Sequence, residues 1–221
     1  MRSVLSCAVV LSLFCAPVLA GQGVNGPPGP RILLPLEREI ALARSAAPAS
    51  VSATARIWVL DGRGFRVADS GSTGAACYVA RAWPLSLEPH CFDEEGARTI
   101  MRMGMRRTEL LHAGVPAEQV EREIADGIAG GTYRLPQRPV MSWMLSADQV
   151  LYRNDGRRIG PWRPHVMIYY PYLTSAMLGL GAGQDLDAGV VSNEGEPEAT
   201  LVIVVPNAVK ADGSRTGART P

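Results

Sequence analysis

Within the stretch GSTGAACYVARAWPLSLEPHCFDEEG, residues 71–96, stand two cysteines, Cys77 and Cys91, with His90 and the acids Asp93, Glu94 and Glu95 beside the second. Three chemistries use such residues. A catalytic thiol needs a low-pKa thiolate, a histidine near it and a third group to orient that histidine. His165 would have to approach from a later segment, and the second cysteine would be left unexplained. A zinc site built from His90, Cys91 and the acids would show ligand spacing such as C-x2-C or H-x3-H, which is missing here. A disulfide needs an oxidising compartment and two facing segments. Tyr78 and Val79 favour a strand at Cys77, and Pro84 and Pro89 suit the turn between strands. Closing a loop of about 15 residues is worth roughly 3 kcal/mol in the chain-entropy account. The disulfide is the reading we adopt.

His165, in Pro164-His165-Val166-Met167-Ile168, faces opposite to Val166 and Ile168 if the segment is a strand. A hydrogen-bonded core or edge histidine accounts for it more simply than a general base. The richest aromatic stretch, PWRPHVMIYYPY, sets Trp162, Arg163, His165, Tyr169, Tyr170 and Tyr172 close together. These residues are candidates for a ligand groove, with packing of the sheet as the competing role. His112, near a helix end, suits the dipole as a cation. Asp61-Gly62-Arg63-Gly64 resembles a calcium loop but lacks the later acidic positions. The chain has no Gly-x-Ser-x-Gly elbow, Walker loop, His-Glu-x-x-His or dinucleotide fingerprint, so no cofactor and no metal is expected.

The compartment follows from the first twenty residues, MRSVLSCAVVLSLFCAPVLA. Arg2 is a short positive region, Val4 to Phe14 an apolar run, and Val18-Leu19-Ala20 a small-residue cleavage site. Eleven apolar residues are too few to span a bilayer, which takes roughly 20. The expectation is a signal peptide, 1–20, cleaved near Ala20, with Cys7 and Cys15 leaving with it, and a periplasmic or secreted mature chain. Of the 22 basic residues only Arg2 precedes Gly21, which leaves 21 basic against 21 acidic residues. That balance argues against nucleic acid as a partner, because phosphate binding wants a basic surplus on one face. Lys210 is the sole lysine, a codon-usage effect in our reading. No later apolar run reaches transmembrane length.

The elements that must position these residues come next. Residues 21–34 are Gly/Pro-rich and read as a linker. Leu36 to Ala46 has helical spacing and stops at Pro48. Residues 55–69 read as a hairpin around Asp61-Gly62-Arg63-Gly64, 75–81 as a third strand and His90 to Phe92 as a fourth. A helical pair covers 105–113 and 116–129, the second with Val120, Ile124 and Ile128 four apart and Gly130-Gly131 as its stop. Strands follow at 140–145, 149–153, 164–170 and 199–205, with a turn at Asn154-Asp155-Gly156. The last strand is nearly all apolar and is read as central; 207–221 reads as a disordered tail. Helices grouped rather than alternating with strands predict an α+β fold over 35–206, a mostly antiparallel sheet with an N-terminal helix and a central helical pair.

Several stretches resemble a group of secreted bacterial proteins of unknown function. They are ALARSAAPASVSATARIWVL, Gly74 and Cys77 followed by Pro89-x-Cys91-x-Asp93-x-x-Gly96, Pro164-His165-Val166-Met167, and Ile203-Val204-Val205-Pro206. The resemblance covers most of 38–206 and implies an exported domain with no assigned activity. The expected role is a non-catalytic binding or accessory module of the periplasm or envelope, with a small-molecule or protein partner. The alternative is a small secreted hydrolase using His165 with an acid or with Cys77.

Overall fold

The computed structural model describes residues 26–152, 157–158, 163–181, 188–206, 208–209 and 215–216. The segment 1–20, Trp162 and the Asn154-Asp155-Gly156 turn lie outside the described residues.

Helix α1 spans Leu36–Arg44, with Glu37 and Glu39 in its first turn and Arg44 in its last, each suited to the helix dipole. Its Leu42 and Ala43, continued by Ala46 and Ala47, are buried, and a short helix α2, Ala49–Ser52, follows Pro48. Strands β1, Arg56–Asp61, and β2, Gly64–Asp69, form the expected hairpin. The Asp61 carboxylate accepts the Arg63 backbone N–H at 2.8 Å and the Arg66 Nε at 3.1 Å. Turn closure and ion pairing therefore occupy the acid that the calcium reading used.

Strands β3, Ala76–Ala80, and β4, Glu88–Phe92, pair antiparallel. Three helices then intervene: α3, Glu94–Arg98; α4, Ile100–His112; and α5, Ala117–Ala129. The remaining sheet strands are β5, Val140–Met144, β6, His165–Tyr169, β7, Val190–Ser192, and β8, Thr200–Val204. One eight-stranded sheet results, in the order β2-β1-β3-β4-β5-β6-β8-β7. Only β1 and β3 run parallel; every other pairing is antiparallel. The fold is α+β, as the grouping of elements predicts.

The sheet has two differently covered faces. On one, α1 packs over Ile57, Val59, Cys77, Val79 and Cys91. On the other, α4 and α5 supply Ile100, Met101, Met103 and Ile124 against Tyr78, Phe92 and Val140. Gly104 lets the Tyr78 phenol reach the helix, since a Cβ there would stand 2.4 Å from its oxygen. Arg107 joins Glu121 of α5 to Glu198 before β8, tying the helices to the far side of the sheet.

Five sequence expectations are corrected. First, α4 begins at Ile100 rather than 105, because Ile100, Met101, Met103 and Met105 are all buried and leave no one-sided stripe to read. Second, the described part of the 149–153 segment holds only isolated bridges: Val150 pairs with Leu87, through two backbone hydrogen bonds of 2.8 Å, and Tyr152 with Arg158. Third, β8 lies second from the sheet edge, between β6 and β7, and most of it is half-buried rather than central. Fourth, the described end of the 21–34 linker packs. Arg31 is buried, and its guanidinium donates to the carbonyls of Pro27, Gly29, Arg81 and Ala82 at 2.8 to 3.2 Å. Burial holds its pKa down to about 10. Fifth, within the 207–221 tail, Ala208–Val209 (β9) and Arg215–Thr216 (β10) pair as a short antiparallel ladder. Among the described residues no helix is long and apolar enough to cross a membrane.

Candidate functional site

Cys77 and Cys91 sit directly opposite each other on β3 and β4, Cα atoms 4.0 Å apart and sulfurs at 1.96 Å, joined as a disulfide. Both are fully buried under α1. A bonded, buried sulfur offers no thiolate. The neighbouring acids have structural occupations. The Asp93 side chain accepts the Gly96 N–H at 2.8 Å as the cap of α3 and pairs with Arg138 at 3.0 Å. Glu94 and Glu95 pair with Arg98 one helical turn on. Among the described residues no three His, Cys, Asp or Glu side chains gather in a way that could hold a metal ion.

The aromatic candidates are divided. Strand alternation puts His165 and Tyr169 on the face under the helices, where His165 is buried. Its Nδ1 lies 2.9 Å from the Arg163 carbonyl, and burial lowers its pKa. Tyr170 and Tyr172 lie past the end of β6 and are exposed, as is Arg163. Among the described residues, His165 and Tyr169 thus share the helix-covered face of the sheet, while Arg163, Tyr170 and Tyr172 are exposed.

Sequence reasoning weighed His90 only as a metal ligand; it belongs to the same buried face. Its neighbour Cys91 pairs with Trp143 on β5, and Met144 pairs with His165 on β6. Neither ring nitrogen of His90 has a partner. Its ring lies against Tyr78 and Phe92, with centroids 5.9 and 5.5 Å away. Burial, helped by the charge of His165, pushes its pKa down to about 3. The folded state thus holds it neutral, while the unfolded chain takes up a proton below about pH 6.5. Its contribution to stability is complete above that value and is lost as pH falls towards 3, by up to about 1.4 kcal/mol per pH unit. The His90→Phe variant is expected to keep neutral-pH stability and to show a shallower acid limb between pH 6 and 4. Urea unfolding at several pH values measures this; an unchanged acid limb would refute it.

An open cleft among the described residues lies elsewhere. A cleft of about 460 Å³ runs between α1 and the segment after β5. Arg38, Ala41 and Leu42 stand at i, i+3 and i+4 of α1 and therefore share one side of the helix. Opposite them are Gln149, Val150 and Leu87, the last two held by the isolated bridge. The walls are fastened at one end. The Leu145 N–H donates to the Ala46 carbonyl at 2.9 Å, and the Ser45 and Ser146 hydroxyls meet at 2.7 Å in a buried contact. Ser146 Oγ also accepts the Asp148 N–H at 3.2 Å, which sets the turn leading to Gln149.

Three polar groups give this cleft its character. Gln149 is 8% exposed, and neither its amide oxygen nor its amide nitrogen has a hydrogen-bond partner in the protein. Leaving such a group buried and unpaired costs about 1 to 3 kcal/mol. Arg38 and Arg158, both exposed, also line the cleft, and among the described residues neither guanidinium has an ion-pair partner. Arg44, Arg66, Arg98, Arg106, Arg107, Arg122 and Arg138 are each paired with a carboxylate. The sequence contained no signal for this site: its residues come from α1, the 82–87 turn and the segment after β5, and share no motif.

In comparisons with protein-family models, with curated proteins and with solved structures, nothing matches the chain.

Proposed function

We propose that this chain is an exported, non-catalytic binding or accessory module of the periplasm or envelope, and that the cleft between α1 and the 147–150 segment is its ligand site. The export half of the reading rests on the first twenty residues, on the balanced charge of the rest, and on a disulfide of the kind that persists in oxidising compartments. The binding half is carried by one observation: a buried, unpartnered amide on Gln149 in the wall of a cleft of ligand size. In the hydrolase alternative, Cys77 is already committed to Cys91.

The test is a set of small neutral, anionic and cationic compounds screened by protein NMR. Binders are expected to move resonances of α1 and of 147–150, and Ala41→Phe, which fills the cleft from the helix side, is expected to abolish those shifts. Binding that moves other resonances only, or survives Ala41→Phe, rejects the site. A companion prediction concerns stability. If the amide is retained for a ligand, Gln149→Leu should stabilise the free protein by about 1 kcal/mol in chemical denaturation, since an apolar group then replaces an unpaired polar one. A loss of 1 kcal/mol or more would mean the amide serves the fold instead.

A further inference from the structure

We infer that the cleft takes a small organic monoanion, a carboxylate carrying a short apolar body; this rests on the cleft being the ligand site. The polar part of the lining contains two guanidiniums, Arg38 and Arg158, one carboxylate, Asp148, and the Gln149 amide. The formal balance of the three charged groups is a single positive charge, which matches one negative charge on a ligand. A dianion would be left half-neutralised in a partly enclosed space. Guanidinium groups bind carboxylates through paired, charge-assisted hydrogen bonds. Asp148 already has an interaction within the protein, so it enters here only as charge on the rim.

The rest of the lining is aliphatic. Ala41, Leu42, Leu87, Ala147 and Val150 contribute no hydrogen-bonding side chain, so a long polar ligand would lose water without recovering its hydrogen bonds. A chain of a few carbons behind the carboxylate suits them. The two arginines belong to different parts of the chain, one to the rigid helix α1 and one to the segment after Tyr152. Each can be altered without disturbing a buried group, because both are exposed.

The experiment compares hexanoate, hexyl phosphate, hexanol and hexylamine by NMR titration of the full mature chain and of its Arg38→Gln, Arg158→Gln and Ala41→Phe variants, with melting temperatures as the folding control. Hexanoate is expected to bind about tenfold or more tightly than hexanol or hexylamine. Each arginine variant is expected to weaken hexanoate about three- to tenfold while leaving hexanol unchanged, a separation that a merely structural role for the arginines does not produce. Tighter binding of hexyl phosphate than of hexanoate overturns the carboxylate assignment. Equal binding of all four compounds, still blocked by Ala41→Phe, overturns the charge inference while the cleft remains the site. If no probe moves the cleft resonances, both readings fall.

Discussion

Replacing Glu39 by alanine is expected to destabilise the domain by about 3 to 5 kcal/mol, the range for stranding one partner of a buried ion pair. Glu39, in the first turn of α1, and Arg81, just past β3, are 1% and 0% exposed and form an ion pair. Glu39 also accepts the Leu60 N–H at 3.3 Å, so it links helix α1 to strand β1. Arg81 donates to the carbonyls of Ile32 and Val79 at 2.7 Å each. Removing the carboxylate leaves a desolvated guanidinium with only neutral acceptors. Against a typical net stability of about 5 to 15 kcal/mol, that loss is large enough to unfold much of the population near 37 °C. The control is the double variant Glu39→Leu with Arg81→Met, which removes both charges. It is expected to recover most of the loss, because an apolar replacement of a buried pair is often neutral or better. Denaturant unfolding of the two single variants and the double one gives the coupling; a loss below about 1 kcal/mol for Glu39→Ala would remove the pair from the account of stability.

The second large effect concerns the sulfur bridge. Converting both Cys77 and Cys91 to alanine should lower stability by about 2 to 4 kcal/mol, through the greater freedom of the unfolded chain, with the native sheet largely retained. Two strands already paired over five positions supply the register without the bond, so the loss should appear in the denaturation midpoint rather than in the fold. Since both sulfurs are buried, a thiol reagent should find no free thiol in a folded chain produced without residues 1–20, and two after unfolding and reduction. Finding two reactive thiols in the native protein would revive the cysteine-based chemistry set aside above.

These two predictions also mark where the sequence was legible. The disulfide could be read because it needs only a cysteine count, a compartment and a turn between strands. Helix α5 could be read because Val120, Ile124 and Ile128 mark one face, and the β1–β2 hairpin because Asp61-Gly62-Arg63-Gly64 admits few other conformations. Each is a local property, decided within about a dozen residues. Helix α3 was missed although its cap is local: Asp93 stands where a helix start wants an acceptor, but beside His90 and Cys91 the acids drew attention as ligands.

Glu39, Arg31, Arg81, His90 and Gln149 could not be read in that way. In sequence they are ordinary polar residues, to be placed on the surface by default. Glu39, Arg31, Arg81 and Gln149 are buried because α1 and the segment before it lie across β1, β3 and β4, and because the turn after β5 is clamped to the end of α1 through Ser45 and Ser146; His90 is buried on the opposite face, against Tyr78 and Phe92. Whether a charge is desolvated, paired or stranded depends on what distant segments bring to it, and that is settled by long-range packing alone. The chain's own residues therefore determined its class of fold, its strand pairs near turns and its bridged cysteines. The tertiary structure decided which polar groups went inside and which were left facing a cleft, because desolvation is a property of the assembled neighbourhood and not of the residue.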